Sequence, residues 1–428
     1  MRAEILTIGD ELCRGEIVNT NSAYLAARLW DLDITTRWMT SCNDDEADIT
    51  DAVTRAVGRA DVVVCSGGLG PTEDDLTVDM LSRVVGVEPV VDEPAKARML
   101  ERFGRLLSAG PVGNVEELTR IQLRQVRVPG GARVHMNPVG LAPGFEVAVQ
   151  GVPVICLPGV PRELYGIWDA GLAARLAELR ETRGNVERIA RRIYRAFGRG
   201  ESQISQACRG LVDGVAGASI HYQVKFPETL VKLVVRDHDQ AAADTRLAAL
   251  DAGVRERLAG IVYGTGEAET LVEKATRRLI AHGMTIATAE SCTAGMIGEL
   301  LTRMPGSSRA FVGGTIAYAN DEKVRQLGVA QATLDAHGAV SEAVVREMAA
   351  GARARFGVDY AVAVSGIAGP DGGTPEKPVG TVWIALESAT GTTTKKLSWP
   401  GARDQIRLLS AWWALKLVDD ALDGRSPS

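Results

Sequence analysis

The chain has 428 residues, 46% of them apolar and 24% charged, with a formal net charge of −6. That length exceeds one ordinary hydrophobic core and predicts several domains, while the acidic balance gives no global attraction for nucleic acid or an anionic membrane surface. No apolar run is long enough to span a bilayer. The six cysteines, Cys13, Cys42, Cys65, Cys156, Cys208 and Cys292, have no paired-ligand spacing and read as reduced thiols in a cytoplasmic protein. The opening MRAEILTIGDE, with one basic residue and several acids, reads as a first strand and not as a signal peptide.

In chain order, EILTIG reads as a strand, DELCRGEIVNTN as a polar turn and SAYLAARLWDL as a helix with apolar residues at helical spacing. NDDEAD is an acidic loop before a second helix, from about Ile49 to Gly58, and DVVVCSGG is a wholly apolar strand. This alternation predicts an α/β domain over residues 1–175, a parallel sheet covered by helices. Further strands are expected at 132–136 and 152–159, and a helix begins at PRELYGIW, its proline suited to the first turn.

Residues 176–266 change texture. An arginine-rich stretch, RGNVERIARRIYRAFG, precedes a helical pattern and two alternating strands, ASIHYQVKF and LVKLVVRD, which predicts a small α+β module. Arg188, Arg191, Arg192 and Arg195 form a basic run that reads either as a solvated helix face or interdomain contact, or as a nucleic-acid patch. No aromatic platform accompanies it, which argues against direct nucleic-acid binding.

Residues 267–421 form a third, α/β unit. Helix EKATRRLIAHG is followed by strand MTIATA, helix SCTAGMIGELLTRM, turn PGSSRAF, strand VGGTIAY, two helices, and strands YAVAVSG and GTVWIAL. Residues 422–428 are expected to be a frayed tail.

The stretch ATAESCTAG places Ser291 where a strand meets a helix start, so that unpaired amides near Cys292 and Thr293 could hold an oxyanion. A serine needs a base. No GxSxG elbow is present, and neither His282 nor His337 has an acid arranged beside it. Tyr318 and Lys323 could reach Ser291 if their strand lies beside the serine's own, and a desolvated lysine can accept the hydroxyl proton. The structural alternative is that Ser291 caps a helix, Tyr318 closes a strand and Lys323 lies on a surface. Cys292 is a rival nucleophile, and Glu290 is either a pocket orienter or a first-turn acid stabilised by the helix dipole.

In the first unit, SGGLGPTEDD is a glycine-rich turn after a buried strand, suited to a phosphate, with Asp74 and Asp75 able to hold a divalent ion. Asp10, Glu11, Asp44 and Asp45 end neighbouring strands at the same expected sheet edge, the usual ligand side. The alternative is that these acids cap helices.

AESCTAG, PGSSRAF, YANDEK, GAVSE, SGIAGPDGG and KPVGTVWIAL, in this order, resemble the C-terminal domain of the CinA family, whose members include nicotinamide-nucleotide amidohydrolases. The resemblance implies an α/β amidohydrolase domain that deamidates nicotinamide mononucleotide without a cofactor, Ser291 being nucleophile and Tyr318 and Lys323 its activating partners. It implies a pocket with Glu290, Cys292, Thr293, Ser307 and Ser308 at its edges, and Ser365, Gly366, Gly369 and Pro370 around the nucleotide. Ala294 stands where the family usually has glycine, and Ser365 where it usually has threonine. GDELCRGEIVNTN, SGGLGPTEDDLT, NPVGLAPGF and LPGVPREL resemble the molybdopterin-binding-like domain of full-length CinA proteins. That implies a three-layer, parallel-sheet fold of molybdopterin-biosynthesis type with a nucleotide site at Asp10, Asn19, Asn21, Asp44, Gly67, Gly68, Asp74 and Asp75. It also implies possible metal-dependent (Mg²⁺ or similar) hydrolysis of ADP-ribose, with Asp44, Asp74 and Asp75 as the metal ligands. The middle module resembles the family's KH-like domain, including GRGESQI, without the GxxG signature of RNA binding. A homodimer is implied by the same resemblance, and a nucleotide-sensing or competence- and DNA-damage-associated scaffold is the alternative to an enzyme.

Overall fold

The computed structural model describes residues 1–108 and 121–425. They form two compact units, Met1–Ile189 with Asp237–Asp239, and Ala190–Arg236 with Gln240 onward.

The first unit is built on eight strands: β1 (Arg2–Ile8), β2 (Thr35–Cys42), β3 (Val62–Ser66), β4 (Pro89–Val91), β5 (Arg127–Pro129), β6 (Arg133–His135), β7 (Gly144–Val149) and β8 (Val152–Leu157). Six form one sheet in the order β2-β1-β3-β8-β7-β6, while β4 and β5 pair separately. β1 pairs in parallel with β2 and β3, and β3 with β8; the β8–β7 and β7–β6 pairs are antiparallel. All of VVVCS in β3 is buried, because a central strand covered on both faces has no polar side. One face packs on helices Glu46–Val57 and Thr77–Val85, through residues such as Ile49, Val53 and Leu81. The other packs on helix Thr20–Asp31 and the helical segment from Pro161, through Leu25, Leu29 and Leu164.

β9 (Arg188–Ala196), β10 (Ala218–Lys225), β11 (Glu228–Asp237) and β12 (Val262–Thr265) form a sheet in the order β10-β11-β9-β12, which belongs to the second unit except for Arg188, Ile189 and Asp237 at its strand ends. The arginine run is thus a strand and not a helix face, and its charges are paired. Arg188 pairs with Glu181 and Asp33, and Arg192 with Asp251, while Arg195, 1% exposed, pairs with buried Glu228. Arg191 has a partner as well. Such neutralised cations present no phosphate-tracking stripe.

β13 (Ile286–Glu290), β14 (Phe311–Ile316), β15 (Tyr360–Gly366), β16 (Thr381–Ser388) and β17 (Gly391–Ser398) form a second sheet in the order β14-β13-β15-β16-β17. β13 is parallel to β14 and β15, and β16 and β17 continue antiparallel. Helix Arg403–Leu422 is buried continuously from Ser410 to Asp420, where Lys416 pairs with Asp420, and Lys274 and Arg278 with Asp419. Phe197 and Tyr263 of the middle module join this core, the Phe197 ring lying 4.9 Å from Trp413 and 5.5 Å from Trp412. The last helix reaches Leu422 and Arg425 still pairs with Asp423, so of the expected tail 422–428 the first residues are structured and 426–428 lie outside the described residues. Among the described residues no helix is long and apolar enough to cross a membrane.

Candidate active site

Ser291 follows β13 at the carboxyl edge of three parallel strands. Its amide donates to the Val364 carbonyl at 3.0 Å, and on its other side the Ala317 amide donates to the Glu290 carbonyl at 2.9 Å. Register therefore sets Ser291 between the end of β14, which continues into Tyr318, and the end of β15, which carries Ser365. Ser365 is buried and donates to the Ala339 carbonyl at 2.7 Å. Gly366 ends β15, and Gly369 and Pro370 follow in the loop beyond it.

The expected helix from Ser291 begins only at Met296. Ala294 (φ 50) and Gly295 (φ 92) are left-handed, so residues 291–295 form a turn. Glu290, 1% exposed, accounts for the shape of that turn. Its carboxylate accepts from the amides of Gly295 (2.9 Å), Ile297 (3.1 Å) and Gly298 (3.0 Å), where a helix start has donors without partners. Glu290 thus caps the helix start from the preceding strand, its carboxylate held by the N-terminal donors that the helix-dipole reading invokes. The Cys292 and Thr293 amides lie in the turn, ahead of the helix; among the described residues neither donates to a backbone carbonyl, the Cys292 amide instead favouring its own sulfur, and the buried Thr293 hydroxyl has no partner.

Lys323 is 1% exposed, against the alternative of a surface lysine. Its Nζ donates to the carbonyls of Ala317 and Tyr318, both at 3.0 Å, which anchors it beneath the end of β14. Burial lowers its pKa below the ordinary lysine value, and its charge and the Cys292 sulfur influence each other's ionisation. Burial pushes the Cys292 thiol up to about 12, which leaves it a poor nucleophile. Tyr318 is largely exposed, and its hydroxyl accepts from Arg403 Nη2 at 3.0 Å.

Two arginines complete the arrangement. Arg403 also donates to the Gly369 carbonyl at 2.7 Å, and Arg407 donates to the Cys292 carbonyl at 3.2 Å and the Thr293 carbonyl at 3.0 Å. Neither stood out in the sequence. Their signal was two cations in the first turns of a helix, where the macrodipole disfavours positive charge.

Ser307 and Ser308 depart from expectation. They form a short turn before β14, where the Ile286 amide donates to the Ala310 carbonyl, so they lie at the amino edge of the sheet while Ser291 lies at the carboxyl edge. The length of β14 separates them from the serine.

The first unit has a cleft of about 510 Å³ lined by Asn19, Asn21, Asp44, Gly67, Gly68, Asp74 and Asp75 among others. Asp10 is not in that lining; it is bonded reciprocally to Asp44, the Asp10 amide donating to Asp44 at 2.9 Å and the Asp44 amide to Asp10 at 3.2 Å. Asn19 caps helix Thr20–Asp31, and Asn21 donates to Ser66 Oγ at 2.9 Å and the Gly159 carbonyl at 2.7 Å, leaving its own buried oxygen without a partner. The expected divalent site at Asp44, Asp74 and Asp75 is not formed. Among the described residues no three His, Cys, Asp or Glu side chains group so as to hold a metal ion. Asp75 instead accepts from the Gly70 amide (2.7 Å), the Thr72 amide (2.9 Å) and the Thr72 hydroxyl, organising its own loop.

Three family profiles match in sequence: a probable molybdopterin binding domain over residues 4–178, a damage-inducible protein CinA KH domain over 191–264, and a CinA C-terminal domain over 268–422. The chain is similar to a CinA-like protein of Anaeromyxobacter dehalogenans (strain 2CP-C), 42% identical over 99% of this chain and 100% of that protein. It is also similar to a putative competence-damage inducible protein of Symbiobacterium thermophilum, 41% identical over 98% of each. The crystal structure of the competence/damage inducible protein CihA from Agrobacterium tumefaciens is 39% identical, covers 37% of this chain and 99% of its own, and has a TM-score of 0.35.

Proposed function

Because this chain belongs to the CinA family along its whole length, with its three domains in the family's order, we propose that the general hydrolase chemistry this membership supports is deamidation of nicotinamide mononucleotide. The observation that carries the reading is Lys323, a buried amine with a lowered pKa, anchored at the strand end beside the Ser291 turn. Neutral Lys323 takes the proton of Ser291 as Oγ attacks the carboxamide carbon. The Cys292 and Thr293 amides receive the developing oxyanion, a role for donors aimed at charge that appears in the transition state. The C–N bond breaks, and the leaving nitrogen takes the proton from Lys323 and departs as ammonia. Water then cleaves the Ser291 ester, giving nicotinate mononucleotide and restoring the serine. Tyr318, which the resemblance made an activating partner of the serine, has its hydroxyl held by Arg403 and in this reading joins the Ser365–Pro370 loop in positioning the nucleotide. The exposed face of edge strand β14, with Val312 and Ile316, supports a homodimer in the same reading.

The test is ammonia release from nicotinamide mononucleotide by the full chain and by Ser291→Ala. Release by the wild type alone supports the reading; equal silence of both proteins, with nucleotide still bound, supports the scaffold alternative. In the first unit, the cleft with its glycine turn and the unpartnered Asn21 oxygen supports ADP-ribose as a ligand, tested by loss of ADP-ribose binding in Asn21→Leu.

A further inference from the structure

A second cleft, of about 550 Å³, opens between the middle module and the C-terminal sheet, inside one compact unit. Its size suits a mononucleotide-sized molecule. On the middle-module side it is lined by Phe226, next to the β10–β11 turn, and by the Gly198–Gly200 loop of the GRGES stretch; on the other side stand Lys395 of β17, Trp399 and Trp413.

Phe226 stacks on Trp399, with ring centroids 5.4 Å apart and an interplanar angle of 29°, making an aromatic wall across the two domains. Lys395 Nζ lies 3.9 Å from the centroid of Trp413. Gly198 has φ +104, and a Cβ there would meet the Trp413 ring at 3.1 Å, so glycine is what lets this loop close against the tryptophan. The next residue, Arg199, is exposed at the cleft. Glu228 also lines the cleft, but its carboxylate is bonded to Arg195 and Tyr263. Lys395 is engaged with the Trp413 face, and the other charged lining residues are Arg199 and Lys396 with Glu201, a positive excess beside flat apolar rings. Aromatic faces receive planar rings, and cations beside them receive anionic groups.

We propose that this cleft binds a planar aromatic anion of the nucleoside monophosphate class, its ring against the Phe226–Trp399 wall and its phosphate toward Arg199. The Ser291 site is separate, but the cleft wall is bonded toward it. The Trp399 amide donates to the Gly380 carbonyl at 3.2 Å, and the Gly380 amide donates to the Ile367 carbonyl at 2.8 Å, in the segment that leads to Gly369 and Pro370.

The experiment is equilibrium dialysis of labelled AMP against the full chain, with nicotinamide mononucleotide, adenosine and inorganic phosphate as competitors. Arg199→Ala and Phe226→Ala each weaken one class of AMP sites by about tenfold, as expected for loss of a charge-assisted bond or of a stacking face. Both leave ammonia release from nicotinamide mononucleotide unchanged, and Asn21→Leu in the first unit leaves this class intact. Competition by AMP or nicotinamide mononucleotide well ahead of adenosine and phosphate supports the site, and their order reports purine against pyridine. Absence of AMP binding at millimolar concentration, or affinity unchanged in both variants, overturns it. Arg199 is solvent-exposed, so its variant separates ligand contact from folding.

Discussion

Arg403 Nη2 donates to the Tyr318 hydroxyl at 3.0 Å while Nη1 donates to the Gly369 carbonyl at 2.7 Å, so one guanidinium joins the end of β14 to the loop after β15. These segments flank Ser291 from opposite sides, and a planar fork with two donors holds both at once. Arg403→Lys, which keeps the charge but not the fork, is expected to raise KM about tenfold with a smaller change in kcat, because positioning is lost while serine and lysine remain. Steady-state ammonia release checks this; a fall in kcat alone would contradict it.

Lys323 acts as a base only when neutral, and burial lowers its pKa. The neutral fraction grows as pH rises through that lowered value, so kcat rises with pH, with a midpoint below the ordinary lysine value of about 10.4. Lys323→Arg stays protonated throughout and should lose about 10² to 10⁴ in kcat. A pH–rate profile that is flat across the alkaline limb would remove Lys323 from the role.

The Glu290 carboxylate takes three backbone donors of the turn and helix that follow Ser291. Glu290→Gln puts an amide NH₂ against some of those donors, and is expected to cost about 2 kcal/mol of stability with a parallel loss of activity. Urea unfolding reads the first, and an unchanged midpoint would count against the capping role.

Ala294 occupies a left-handed conformation at φ 50, which an alanine adopts with strain and a glycine without. Ala294→Gly should stabilise the protein by about 1 kcal/mol, the smaller backbone entropy of unfolded alanine offsetting part of the gain. Calorimetry measures the shift in Tm. The departure from the family's usual glycine therefore falls where backbone geometry, and not chemistry, distinguishes the two residues.

With its thiol pushed up to about 12 by burial, Cys292 stays in its protonated, weakly nucleophilic form near neutral pH. Cys292→Ala should keep activity within a few-fold of wild type, whereas Ser291→Ala should abolish it. A Cys292→Ala protein as silent as Ser291→Ala would transfer the nucleophile's role to the sulfur.

Local pattern in the sequence pointed to the α/β character of the outer units: the short β-branched run DVVVCSGG, closed by glycines, reads as a buried strand and is one, and the hydroxyl-rich corner at Ser291 does end a strand. Spacing left Tyr318 and Lys323 between a catalytic and a structural reading, and their roles came from the family resemblance. What remained open was set by contacts distant in sequence. Whether Lys323 faced water or the interior depended on which strand lay beside β13, and the parallel β13–β14 pairing decided it. The same pairing separates Ser307 and Ser308 from the serine, although all three belong to one ordered set of motifs. Arg403 and Arg407 reach the site from a helix more than 100 residues downstream of Ser291, and no local periodicity records such a contact. In the first unit, clustered acids in the sequence did not become a metal site, because Asp10 and Asp44 each accept from the other's backbone amide and Asp75 accepts from the amide of Gly70 in its own loop. Residue type and position at strand ends marked which side chains could do chemistry; which of them are desolvated, paired and brought together follows from burial and register, because those arise from segments that meet only on folding.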